Sequence, residues 1–254
     1  DLQSAMPAFM MGGAKAMDPM VRDLQNVFMQ MKYSNIPVVA AVAGLALGGG
    51  CEMALHASKR VASIESYIGL VEVGVGLVPA GGGLKEAAVR AFLDAKGNDI
   101  LQFLKTGFTN AATAQVSKSA LEAKAMGYLK EDDVIVFNPY ELLHVAKTTA
   151  RAMFDAGYRA PARRPITVTG RYGWATIRGQ LVNMRDGGFI SAYDYKLGDM
   201  IAEIVTGGDV DQGSVVSEQW LLDMERKAFI ELLGNPKTQE RIMGMMQTGK
   251  PVRN

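Results

Sequence analysis

Two glutamates set the chemistry that this chain can perform. Glu52 closes the stretch Leu47-Gly48-Gly49-Gly50-Cys51-Glu52, and Glu72 follows one short segment later within Tyr67-Ile68-Gly69-Leu70-Val71-Glu72-Val73-Gly74-Val75-Gly76-Leu77-Val78-Pro79. Every close neighbour of Glu72 is apolar or glycine, so a carboxylate there is desolvated unless it has a partner or a task. A first-turn glutamate such as Glu52 also favours the helix dipole, which is its structural reading. Taken together, two carboxyl groups beside glycine-lined turns point to acid/base chemistry next to a developing oxyanion.

The elements that position them are legible from pattern. Pro37-Val38-Val39-Ala40-Ala41-Val42-Ala43-Gly44 is short and apolar on both faces, as expected of a buried strand. A helix starting near Gly49 aims free N–H groups past the end of that strand, with Glu52 in its first turn. Pro79-Ala80-Gly81-Gly82-Gly83 is a second glycine-rich helix entry whose amides can hold a water or a substrate oxygen. Asp18-Pro19 starts a helix whose residues Met20, Leu24, Val27, Phe28 and Met31 form one face, expected to pack on the strand.

These motifs resemble the crotonase (enoyl-CoA hydratase/isomerase) superfamily. The hydratases of that family look like Pro-Val-x-Ala-Ala-Val-x-Gly-x-Ala-x-Gly-Gly-Gly-Cys-Glu, then Gly-x-Pro-Glu, then Pro-Gly-x-Gly-Gly, and the chain carries the first motif at Ile36 to Glu52. Val71 replaces the proline before the second glutamate, and Ala80 replaces the glycine after Pro79. The resemblance implies an α/β fold of the crotonase (ClpP-like) ββα superhelix type, with an oxyanion donor at the N–H of Gly49. It also implies that Glu52 and Glu72 hold and activate the water added to a trans-2-enoyl-CoA, with Gly48, Ala80 and Gly81 lining the substrate.

The same resemblance reads Asp1-Leu2 as the end of the family's Gly-Ala-Asp-Leu/Ile motif, also at the substrate. The alanine of that motif, the second oxyanion donor, then falls just before Asp1, so the core is expected to be N-terminally incomplete and this piece alone to have little activity. Residues 6–17, rich in Met, Ala and Gly, correspond to a mobile segment of the family bordering the acyl pocket.

Downstream, Asn138-Pro139 opens a helix to about residue 157, and helical patterns follow at 172–184, 191–204, 214–233 and 235–246. The division expected is a crotonase core at 1–137 and an all-helical C-terminal region at 138–254. The ending from Gly234 to Asn254 is similar to that of bacterial bifunctional 3-hydroxyacyl-CoA dehydrogenases whose crotonase half comes last. By that resemblance the partners are an acyl-CoA thioester, a dehydrogenase half and other copies of the chain. NAD is expected only for the dehydrogenase half, because no strand leading into Gly-x-Gly-x-x-Gly occurs here. The alternatives to hydration are double-bond isomerisation and a scaffolding role.

Composition excludes several other classes. Lys and Arg total 27 against 26 acids, a net charge of +1, so no charge imbalance calls for nucleic acid or a membrane surface. One cysteine forbids an internal disulfide and fits a reducing cytoplasm. Cys51 has no histidine at a spacing that supports nucleophilic catalysis, and His56 and His144 offer no recognisable metal spacing, so no metal is expected. Trp220 and the apolar residues after it mark helix packing, with a face for the dehydrogenase half or another subunit if part of the strip is exposed.

Overall fold

The computed structural model describes residue 9 and residues 11–254. A three-stranded parallel sheet carries the site: β1 (Val39–Leu47), β2 (Lys59–Gly69) and β3 (Val134–Val136) lie side by side in that order. The β1/β2 register slips by a bulge between Val42 and Gly44, where Gly44 takes a positive φ of 61°. Helix α1 (Asp18–Lys32) precedes the sheet, and α2 (Gly49–His56) is the short crossover between β1 and β2. A 3-10 turn (Glu72–Val75) then leads to α3 (Gly83–Ala95), α4 (Ile100–Ala112) and α5 (Ala120–Ala125).

Beyond β3, a 3-10 turn (Pro139–Glu141) enters α6 (Leu142–Asp155), with the Asn138 side chain capping it by accepting from the Tyr140 N–H. Ala146 of α6 packs with Val61 and Val136 on the sheet, in a small cluster of its own. Helices α7 (Gly170–Asp186), α8 (Ala192–Thr206), α9 (Glu218–Leu233) and α10 (Pro236–Thr248) complete the chain. Ser191 and Asp194 form a capping box at the start of α8, and Ser217 and Asn235 cap α9 and α10.

The C-terminal region differs from an all-helical one in a single ladder: β4 (Ile166–Thr167) pairs antiparallel with β5 (Val215–Val216). The β-branched pair Val215-Val216 therefore leaves the helical pattern expected from residue 214, and α9 begins four residues later. The expected boundary at residue 137 is not a break in the core. One apolar cluster runs from Met17 through Leu84 and Leu104 to Ile201, Leu221 and Ile242. Leu84, Ile201 and Leu221 are fully buried, each such side chain stabilising the fold by about 1.5–3 kcal/mol relative to exposure.

Helix α1 buries Phe28 as expected, but the rest of its inward face differs. Val21, Gln25, Phe28 and Met29 are buried, while Met20, Leu24 and Val27 are exposed. The reason is its neighbour: α1 packs on α2 and α9 rather than on β1, and Gln25 donates from Nε2 to the carbonyls of Ala80 (2.7 Å) and Leu222 (2.9 Å). On α9, Leu221, Leu222 and Leu233 are in the core, and Trp220 is half exposed with its indole N–H on the Gly207 carbonyl.

Candidate active site

Glu52 projects from the first turn of α2, which begins where the sequence allows a chain reversal that only glycine makes without strain. Gly48 has φ 54° and ψ −124°, and its N–H donates to the Gly69 carbonyl (2.9 Å), fixing the end of β1 to the end of β2. A Cβ at Gly48 would stand 3.1 Å from Oε1 of Glu72, so the missing side chain is what admits the second glutamate. Gly49 follows as the first residue of α2, exposed, and no partner for its N–H is recorded among the described residues. Helix geometry leaves that amide free, at the positive end of the helix dipole.

The Glu52 carboxyl is buried and accepts, through Oε1, the N–H groups of Gly81 (2.8 Å) and Gly83 (2.9 Å). Burial pushes its pKa up to about 6, against the two amide bonds, which favour the anion. Glu72 stands in the 3-10 turn, entered through Val71 at φ −116°, an angle outside the range of the proline that the family pattern places there. Glu72 as a residue is partly accessible, yet its Oε2 is shielded from solvent and has no hydrogen-bond partner among the described residues. Burial, and then the charge of Glu52, push Glu72 up to about 8. The charge of Glu52 thus bears on Glu72, and the two carboxyls titrate as a pair.

The structure brings Glu52, Glu72, Gly48 and the Gly49 amide to one place. It changes the expected roles of the second glycine turn. The Gly81 N–H, expected to face substrate, is taken by Glu52; Ala80 is buried, its carbonyl taken by Gln25. Gly48 likewise has its amide in the β1/β2 junction, so its contribution is room for Glu72. Asp1 and Leu2 lie outside the described residues, as do most of residues 6–10. Cys51 is fully buried and burial holds its thiol well above the usual range, which leaves it unfit as a nucleophile at neutral pH.

Behind the pair lies a polar cluster that composition did not reveal. The His56 Nδ1 donates to the Glu52 carbonyl (2.7 Å), and its Nε2 accepts from Nζ of the buried Lys85 (2.8 Å). Burial, then Lys85, hold His56 down to about 4, so it is a neutral spacer with a fixed tautomer. Lys85 and Lys32 share Glu86 and Glu218, and Tyr33 donates to Glu218, joining α1, α2, α3 and α9. Among the described residues there is no cluster of histidine, cysteine and acidic side chains able to hold a metal ion.

Residues 9–127, which hold the free Gly49 amide, both carboxyl groups and the first two strands of the sheet, match the enoyl-CoA hydratase/isomerase family, that of the crotonases. A probable 3-hydroxyacyl-CoA dehydrogenase of Bacillus subtilis is 41% identical over 237 residues, which is 93% of this chain and 30% of that protein. A putative fatty acid oxidation complex trifunctional enzyme of Rickettsia felis is 26% identical over 88% of this chain and 28% of its own length. The chain thus spans less than a third of either relative. An enoyl-CoA hydratase/isomerase structure from Xanthobacter autotrophicus aligns with a TM-score of 0.54 at 18% identity, covering 98% of this chain and 71% of that one, and so shares the crotonase fold.

Proposed function

We propose that this chain is the enoyl-CoA hydratase part of a larger fatty-acid β-oxidation enzyme. It adds water to a trans-2-enoyl-CoA to give the 3-hydroxyacyl-CoA. The observation that carries the reading is the buried, coupled pair Glu52 and Glu72 beside the Gly49 amide. An enoyl thioester accepts a nucleophile at its β-carbon when charge on the carbonyl oxygen is stabilised, and a fixed helix-start N–H supplies that. Water gives its oxygen to the β-carbon and one proton to the pair; the pair returns one proton to the α-carbon as the enolate collapses. The balance is one water consumed and no electrons transferred, so NAD belongs only to a dehydrogenase step of the larger enzyme.

Two carboxyls support hydration over isomerisation, which needs only one of them to shuttle a proton. The name of the Bacillus relative and the share of it that the chain spans support a dehydrogenase partner elsewhere in the same protein. No described helix is long and apolar enough to cross a membrane. The test is the hydration of crotonyl-CoA by the full protein bearing this chain, compared with its Glu52→Gln and Glu72→Gln variants. Each variant is expected to lose on the order of a hundredfold to ten-thousandfold in kcat. Hydration by either variant at the parent rate overturns the assignment.

A further inference from the structure

The turn that holds Glu52 is itself held by a third carboxylate. Glu225, fully buried on α9, accepts the Gly82 N–H through Oε2 (2.7 Å) and the Lys85 N–H through Oε1 (2.6 Å). The amides at the start of α3 are thus divided alternately: Gly81 and Gly83 to Glu52, Gly82 and Lys85 to Glu225. Gly82 sits at φ 105°, and a Cβ there would meet the His56 ring at 2.8 Å, so the turn is clamped between α2 on one side and α9 on the other. We infer that Glu225, contributed by the C-terminal helical region, is a positioning residue for the two-glutamate site, fixing the turn whose amides hold Glu52.

Two features favour this over simple helix capping. A helix start is served by one acceptor side chain, whereas here two buried carboxyl groups share it. Burial, and then Glu52, hold Glu225 well above the ordinary carboxylate range. The groups around this turn are Glu52 and His56 on α2, Lys85 and Glu86 on α3, Lys32 on α1 and Glu218 on α9 itself. His56 is neutral at working pH, and Lys32 and Lys85 are both paired with Glu86 and Glu218, the charge of Lys85 also favouring the anions of Glu52 and Glu225. The sequence conceals the residue, since Met224-Glu225-Arg226-Lys227 reads as a solvated helix face.

The inference rests on the hydratase reading for its rate measurements and not for its titration. Two variants of the full protein test the grip on the turn. Glu225→Gln keeps the shape but turns an NH2 group toward one of the two N–H donors, so the turn loosens and Glu52 loses amide bonds that favour its anion: the Glu52 midpoint, followed by infrared titration and assigned by its loss in Glu52→Gln, is expected to rise. An unchanged midpoint in folded Glu225→Gln overturns the proposal, whether or not the protein hydrates crotonyl-CoA. Glu225→Asp keeps the carboxyl group and shortens the reach: kcat for crotonyl-CoA is expected to fall on the order of a hundredfold at an unaltered KM, since a displacement of about 1 Å in a catalytic group has that effect. Parent kcat in Glu225→Asp, with Glu52→Gln inactive, likewise overturns it. If Glu225→Gln fails to fold, the Asp variant decides alone. If the parent hydrates nothing, the titration alone decides, and it is the hydratase reading that falls.

Discussion

At the scale of the residue, the property that matters is that Glu52 and Glu72 both bind protons more tightly when folded. With values of about 6 and about 8, kcat/KM for hydration is expected to be bell-shaped, rising through the lower and falling through the higher, because one proton on the pair is the competent state. A rate flat from pH 5 to 9 would contradict the shared-proton pair. Stability follows the opposite logic from that of a salt-bridged acid. A raised folded pKa contributes its stability below the unfolded value near 4.5 and loses it as pH climbs through 8, since the native state holds the extra proton in that window. Glu72→Gln cannot ionise, so thermal melts are expected to show its stability gaining on the parent as pH rises from 6 to 9. A constant gap between the two melting curves would place Glu72 in solvent. These two residues were legible in sequence because an acid among Val, Leu and Gly has nowhere to be solvated. Lys85, Glu86 and Glu225 were not, since charges paired across distant elements look, one element at a time, like ordinary surface.

At the scale of the element, the site depends on two chain reversals and on what stands behind them. Gly48 makes room for Glu72, and Gly82 passes against His56, whose ring is backed by Lys85 and cannot withdraw. Gly82→Ala is expected to destabilise the protein by about 2–4 kcal/mol in denaturant titration, combining a positive-φ penalty with a close contact on a buried ring. Gly97, also at positive φ but with open space around it, is expected to cost only about 1 kcal/mol as alanine, the conformational part alone. Equal losses at the two positions would remove the packing argument. The glycine turns, β1 and the capped start at Asn138 could be read from local chemistry, which acts within a few residues. The face that α1 presents could not. Its apolar residues encircle much of the helix, and the choice of Phe28 and Met29 over Leu24 and Val27 is made by Gln25, which reaches carbonyls 55 and 197 residues away.

At the scale of the whole molecule, the C-terminal helices are built into the site rather than appended to the core. Thr238 on α10 donates to the Gly76 carbonyl (2.6 Å), and Arg241, fully buried, donates to the Val73 carbonyl (3.2 Å) and to Oδ1 of Asp194 (2.8 Å), so the turn carrying Glu72 is clamped from the end of the chain. With Glu225 holding the other turn, both Glu52 and Glu72 are braced by residues more than a hundred positions downstream. Asp194 also meets Arg253, at 3.1 Å, but that side chain is 60% exposed. The two arginines share one carboxylate and differ in burial, which makes them a matched comparison. Arg241→Met leaves Asp194 half-paired and the Val73 carbonyl without its donor. It is expected to destabilise the protein by about 3 kcal/mol and to lower hydration kcat as the Glu72 turn loosens. Arg253→Ala removes a solvated ion pair and is expected to change stability by about 0.5 kcal/mol or less, with kcat unchanged. Denaturant titration and hydration rates on the same preparations check both, and equal effects of the two substitutions would mean that α10 anchors the fold through charge in general and not through its grip on Glu72.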